Sequence, residues 1–165
     1  MRTLFFVLLF ISTCWSSCME APPAKAYKTG MEGKPIPSFT IQLLDSSSFI
    51  HSEEIANDKK FVLFYFSPTC PYCRAQMRDM VNNIEKFRNE PLYIITNADL
   101  RSIKGFANYF NLKRFNNVVV GRDTGDVVLS TYRLNTVPFT AYFDKNKLLK
   151  VAYKERLRPN SLFKF

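Results

Sequence analysis

Residues 60–66, KFVLFYF, constrain the fold of this chain more than any other stretch. After the leading lysine the run is apolar without interruption, so it lacks the alternation of a strand that shows one face to water. A strand made of these residues has to be buried on both faces, which is the position of a central strand in a sheet covered by helices on either side. The rest of the sequence supplies those partners. Residues 71–88 carry Met77, Met80, Val81, Ile84 and Phe87 at steps of three and four, which predicts a helix. Leu92–Thr96 reads as a second buried strand. Residues 99–110 place Ile103, Phe106, Ala107 and Phe110 at helical spacing, with Asp99 at the end where the helix dipole favours an acid. Residues 117–120 predict a short strand and 125–132 a short helix or turn. Phe139–Phe143 and residues 148–153 are two further strands, turned by Asp144-Lys145-Asn146.

Upstream of the central run, residues 36–44 (IPSFTIQLL) alternate around Phe39, Ile41 and Leu43, as a half-buried strand does. A serine-rich turn follows Asp45, Phe49 and Ile50 return as a second short strand, and Ser52 is expected to cap a helical turn through Ala56. Strands alternating with helices, opened and closed by hairpins, predict an α/β fold with a central mixed sheet flanked by helices. Met77 and Met80 are expected in its core, Asp144 in the last turn, and His51 and Arg133 at the surface.

A chain of 165 residues with 47% apolar content is enough for one domain with a substantial core. The longest apolar run, residues 4–11, is far short of the ~20 residues that span a membrane. Lys and Arg number 23 against 14 acids, a net charge of +9, but the excess is scattered. It forms no basic tract interleaved with aromatics, which argues against nucleic acid. A self-repelling soluble surface is the expected meaning, with an acidic partner or anionic lipid as the alternative.

The four cysteines fall into two pairs of different character. Residues 1–17 comprise a short basic start, the apolar run, and mostly small residues broken by Trp15, which together make a secretory signal. A cysteine straight after such small residues resembles the lipidation site of a bacterial lipoprotein. Cys18, preceded by Ser17, is the expected site; Cys14, with Ile11 three positions before it, is the alternative. An ordinary signal cut near Ala21 or Ala24 is the third reading, and all three export the domain. Residues 18–34, with Pro22, Pro23, Gly30 and Gly33, are expected to form a flexible tether, and residues 35–165 the folded domain.

Cys70-Pro71-Tyr72-Cys73 stands where the buried strand turns into the first helix. At a helix N-cap the unpaired N–H groups and the positive end of the dipole favour an anion, so Cys70 is expected to be the nucleophilic thiolate. Pro71 suits the first helical position, having no N–H to leave unpaired. Cys73, one turn later and deeper, is placed to attack a mixed disulfide at Cys70 and release the product. A structural disulfide over so short a step closes almost no loop. Zinc needs two more ligands, and His51 is the one histidine. Thiol redox chemistry without metal or cofactor is therefore the expected role, ahead of an inert pair or a metal site.

KKFVLFYFSPTCPYC, with NTVPFTAYFDKNKLLKV downstream, resembles the thioredoxin fold. More narrowly, it is similar to the membrane-tethered extracytoplasmic thioredoxin-like proteins of the TlpA/ResA and redoxin type. The resemblance covers residues 34–153. It implies that Pro138 is the cis-proline of that fold, beside the cysteines, with the Val137 backbone offered to a substrate chain as an added strand; a trans proline opening a strand is the alternative. Tyr72 and Ser67-Pro68-Thr69 then surround the exposed sulfur, Tyr72 facing a partner rather than the core. The implied activity is thiol–disulfide oxidoreduction of protein disulfides, for instance in cytochrome c maturation. The implied setting is a monomer in the bacterial cell envelope, facing the periplasm or exterior and fed by a membrane electron donor.

The sequence departs from that pattern in three places. Phe64 stands where thioredoxins bury an acid six residues before the first cysteine, and Arg78 where their active-site helix carries a proline. The tail ERLRPNSLFKF is too short for a full closing helix, which leaves Leu162, Phe163 and Phe165 to cover that face of the sheet. Two other functions stay open: a non-catalytic binding lipoprotein on the same scaffold, and a thiol peroxidase. The peroxidase requires a Pro-x-x-x-Thr-x-x-Cys pattern that Ser67-Pro68-Thr69-Cys70 does not give.

Overall fold

A computed structural model describes residues 23–55, 58–87 and 90–163. The signal segment, both candidate lipidation sites Cys14 and Cys18, and Phe165 lie outside the described residues. In chain order the described elements are strands β1 (Thr40–Leu43) and β2 (Phe49–His51), strand β3 (Phe61–Tyr65), helix α1 (Pro71–Asn82), strand β4 (Leu92–Thr96), helix α2 (Leu100–Tyr109), strand β5 (Val118–Asp123), helix α3 (Val127–Thr131), strands β6 (Phe139–Phe143) and β7 (Leu149–Tyr153), and the single-turn helix α4 (Pro159–Leu162).

The strands form one sheet in the order β2-β1-β5-β4-β3-β6-β7. β3, β4 and β5 run parallel; β6 lies antiparallel to β3, and β7 to β6. All five residues of β3 are buried, and the two-residue period of a strand sends them to two cores. Val62 and Phe64, with Phe66 beyond the strand, join Cys73, Met77, Met80, Ile103 and Phe106 beneath α1 and α2. Phe61, Leu63 and Tyr65 face the opposite way, onto Phe39, Ile55, Val128, Tyr132 and Phe139. Aromatic rings bind each layer: Phe66 lies 4.3 Å from Phe106 on one side, and Phe61 stacks at 4.7 Å on Phe143 on the other. The mixed sheet flanked by helices is the fold the apolar run demanded.

Several boundaries differ from the sequence-based expectation. α1 stops at Asn82 rather than running to residue 88. Asn83 leaves helical backbone (φ −132°), its backbone N–H turning to the Met80 carbonyl while its side-chain amide donates to the Asp79 carbonyl at 2.9 Å, and a 3-10 turn at Ile84–Phe87 carries Phe87 into the core. β1 occupies only the second half of residues 36–44. Ser52 does not cap its turn from outside but opens it: its hydroxyl accepts the Phe39 N–H at 3.2 Å, while Glu54 accepts the N–H of His51 at 2.7 Å.

The stretch expected as a tether is, in its described part, laid along the open edge of β7. Tyr27 N–H donates to Ala152 O at 2.7 Å, Gly33 N–H to Leu149 O at 2.8 Å, Leu149 N–H to Lys34 O at 2.9 Å, and Ile36 N–H to Lys147 O at 2.9 Å. An edge strand offers a row of unpaired N–H and C=O groups, and this segment satisfies them. Beyond β7, α4 is one turn long. Leu162 is buried, and the Tyr142 hydroxyl donates to its carbonyl at 2.7 Å; the Phe163 ring meets Phe87 edge-on at 5.0 Å.

Candidate active site

β3 delivers the chain through Ser67-Pro68-Thr69 to Cys70, which is the N-cap of α1 with extended backbone (φ −71°, ψ 119°), and Pro71 begins the helix. The cap is made by sulfur: Cys70 Sγ accepts the backbone N–H of Cys73 at 3.2 Å. This is the donor that an N-cap oxygen ordinarily satisfies. On its other side the Cys70 thiol lies 3.7 Å from the carbonyl oxygen of Val137, to which it donates. The Val137–Pro138 peptide bond is cis. A chain segment far away in sequence is thereby brought to the first cysteine.

Both cysteines are free thiols, and they differ in environment. Cys70 is half-buried, whereas Cys73 has no exposed surface. Burial pushes the Cys73 thiol well above the usual thiol range, and the hydrogen bond it shares with Cys70 adds to this. Tyr72, between the two, is 65% exposed. His51 sits away from this site, its ring nitrogen 3.0 Å from the Thr40 hydroxyl. Among the described residues no group of three or more His, Cys, Asp or Glu side chains comes together as a metal cage.

Phe64 occupies the acid's place as apolar core, its ring parallel to that of Phe66 at 6.0 Å. The polar atoms at this level come instead from a pair that the sequence reading did not single out. Thr140 is the cross-strand partner of Phe64. Its hydroxyl accepts from Gln76 Nε2 at 2.8 Å, while Gln76 Oε1 accepts the Leu157 N–H at 2.9 Å. Gln76 and Thr140 are both fully buried. A glutamine three residues after Cys73 and four before Met80, on the face of that apolar stripe, was the available signal. A polar residue on a buried helix face has to find partners inside.

The sequence matches the Redoxin family model over residues 31–161. The chain belongs to the Redoxin family. With that membership comes the reaction class, and the protein is an oxidoreductase. Among solved structures, a protein from Bacteroides thetaiotaomicron described as a putative protein disulfide isomerase superposes with a TM-score of 0.67 at 19% identity, over 85% of this chain and 89% of that one. A secreted Mycobacterium tuberculosis disulfide oxidoreductase, described as homologous to DsbE of E. coli, gives 0.63 at 19% identity, over 76% and 91%. The exposed lipoprotein thioredoxin Etrx1 of Streptococcus pneumoniae gives 0.59 at 18% identity, over 76% and 95%. Among curated proteins none matches the sequence. These likenesses confirm the thioredoxin-like fold that the Cys70–Cys73 and Val137-Pro138 motifs implied.

Proposed function

We propose that the protein is a thiol–disulfide oxidoreductase that reduces or exchanges disulfides of other proteins through Cys70 and Cys73. The Cys70 thiolate attacks one sulfur of a substrate disulfide; that S–S bond breaks, a mixed disulfide forms, and the departing substrate thiolate takes up a proton. Cys73 then gives up its proton and attacks Cys70 Sγ. The Cys70–Cys73 disulfide forms, the mixed disulfide breaks, and the second substrate thiol leaves. The substrate gains two electrons and the protein loses two, so a thiol reductant or membrane electron donor has to restore the dithiol. The observation that carries this reading is the position of Cys70 Sγ, held between the Cys73 N–H and the Val137 carbonyl. Pro71 starts the helix behind it, Tyr72 lies outside it, and Val137 and Pro138 supply the backbone against which a substrate strand lies.

The cell envelope is the setting this reading adopts. A secreted Mycobacterium protein and an exposed pneumococcal lipoprotein share the fold, no described helix is long and apolar enough to cross a membrane, and a lipid on Cys18, or on Cys14, is the proposed anchor. The deciding experiment offers a disulfide-bonded peptide to the Cys73→Ser and Cys70→Ser variants. Cys73→Ser should accumulate a mixed disulfide, seen by non-reducing mass spectrometry and released by dithiothreitol, and Cys70→Ser should form none. Equal trapping, or none by either variant, rejects the assignment.

A further inference from the structure

Arg74, in the first turn of α1, lays its guanidinium over the ring of Tyr109 at 4.3 Å, with Phe110 and Phe106 at 5.7 and 5.9 Å. One of its N–H groups, on Nη1, donates to the Pro68 carbonyl at 3.3 Å, in the loop that leads into Cys70. Guanidinium carries five donors in a planar fork, so stacking and a single hydrogen bond leave it able to hold a carboxylate. Arg78, one turn further along α1, is exposed. Four residues apart on α1, the two arginines share one face of the helix, and Arg78 and then Arg74 hold the Tyr109 phenol below its usual range. The one acid of α1, Asp79, is taken by Arg156 at 2.7 Å. Among the described residues neither Arg74 nor Arg78 pairs with a carboxylate. Among the described residues, two of the three large apolar side chains left exposed are Tyr109, at 61%, and Tyr72, at 65% in the first turn of α1 with Arg74. Exposed aromatics beside unpaired arginines are the composition of a binding surface.

We propose that Arg74, Arg78 and Tyr109 form a docking surface beside Cys70 for substrate segments that carry acidic side chains next to their disulfide. The proposal deepens the thiol–disulfide reading and rests on it. A carboxylate of the incoming chain pairs with the arginines and brings its disulfide to the Cys70 sulfur. The arginines therefore act on encounter and orientation, not on the exchange itself.

The test uses the reduced full-length protein and three disulfides: two peptides of equal length, one with glutamates and one with lysines flanking the disulfide, and an uncharged small disulfide. At low ionic strength the glutamate peptide should be reduced about tenfold faster than the lysine peptide, and about 0.5 M salt should bring the ratio toward one. Arg74→Gln/Arg78→Gln should lose that preference, read as the ratio of the two peptide rates within the variant, so that any general change in rate cancels. Arg78→Gln alone, at an exposed site, should lose part of it, which guards against misfolding of the double variant. Lys59→Gln/Lys60→Gln removes the same charge at the opposite end of β3 and should keep the preference. An unchanged ratio in the arginine variants, or an equal loss in the lysine control, overturns the docking surface. A wild-type protein that reduces the uncharged disulfide without charge preference overturns the docking surface alone. One that reduces none of the three overturns the thiol–disulfide reading and the docking surface with it.

Discussion

The two cysteines are chemically alike and differ in what surrounds them. Cys73 lies in an apolar layer with Phe64, Phe66 and Met77, so its ionised form is disfavoured in the folded protein relative to the unfolded chain. The direction of the linkage follows. With the native value raised, the native state holds the proton over a pH range in which the unfolded chain has lost it, so stability falls as pH rises. The contribution is fully present below the ordinary thiol value of about 8.5 and is lost above it. Reduced wild-type protein should therefore lose thermal stability between about pH 8.5 and 10 more steeply than Cys73→Ala, measured by calorimetry under reductant. Parallel slopes for the two proteins contradict the assigned burial. The buried phenols of Tyr65, Tyr132 and Tyr142 are raised in the same direction and act at higher pH. At this scale the sequence spoke clearly about Cys70 and Cys73, because two residues of spacing and a following proline carry the information locally. It was silent about Arg74 and Gln76, whose partners Tyr109 and Thr140 are distant in the chain.

Helix α1 carries both cysteines, and it is held at an element-to-element junction rather than by apolar contact alone. Gln76 joins it to β6 through Thr140, two residues past Pro138, and to the tail through the Leu157 N–H. Gln76→Leu leaves a buried hydroxyl and a buried N–H without their partner, which costs about 1–3 kcal/mol. Denaturant unfolding should show that loss, with the midpoint of thermal unfolding falling by roughly 3–10 °C. Thr140→Val in the same background should add less than it does in the wild type, since both changes break one network. Full additivity separates the two residues and dissolves the junction. Element boundaries were legible where burial alone defined them: β4 and β6 fall on the expected residues. They failed where a single residue overrode the pattern. Asn83 ends α1 before its apolar spacing does. β5 continues to Asp123, past Gly121, which reads as a strand breaker in isolation. A Cβ at position 121 would run into the Ile41 side chain and the Gln42 carbonyl of β1, so glycine is what lets β1 lie against β5.

Both ends of the described chain are spent on closing the molecule. The segment before β1 seals the edge of β7, a use hidden by the Pro and Gly residues that mark linkers by composition. The segment after β7 reaches α1 by three routes: Arg156 on Asp79, the Leu157 N–H on Gln76, and Leu162 within the core that also holds Cys73. The insulation of Cys73 is then a property of the whole molecule, since a residue near the chain's end helps complete the layer in which the thiol lies. Leu162→Ala removes a fully buried side chain and should cost about 2–5 kcal/mol, the range depending on how far the site collapses. The informative readout is alkylation of the reduced protein under native conditions. Cys73 should become measurably more reactive toward iodoacetamide in Leu162→Ala, while the rate at Cys70 stays within about twofold, because Cys70 owes its position to the N-terminus of α1 and to Val137 rather than to the tail. If Cys73 remains as protected as in the wild type despite the lost stability, α1 and β3 insulate it unaided and the tail serves stability alone.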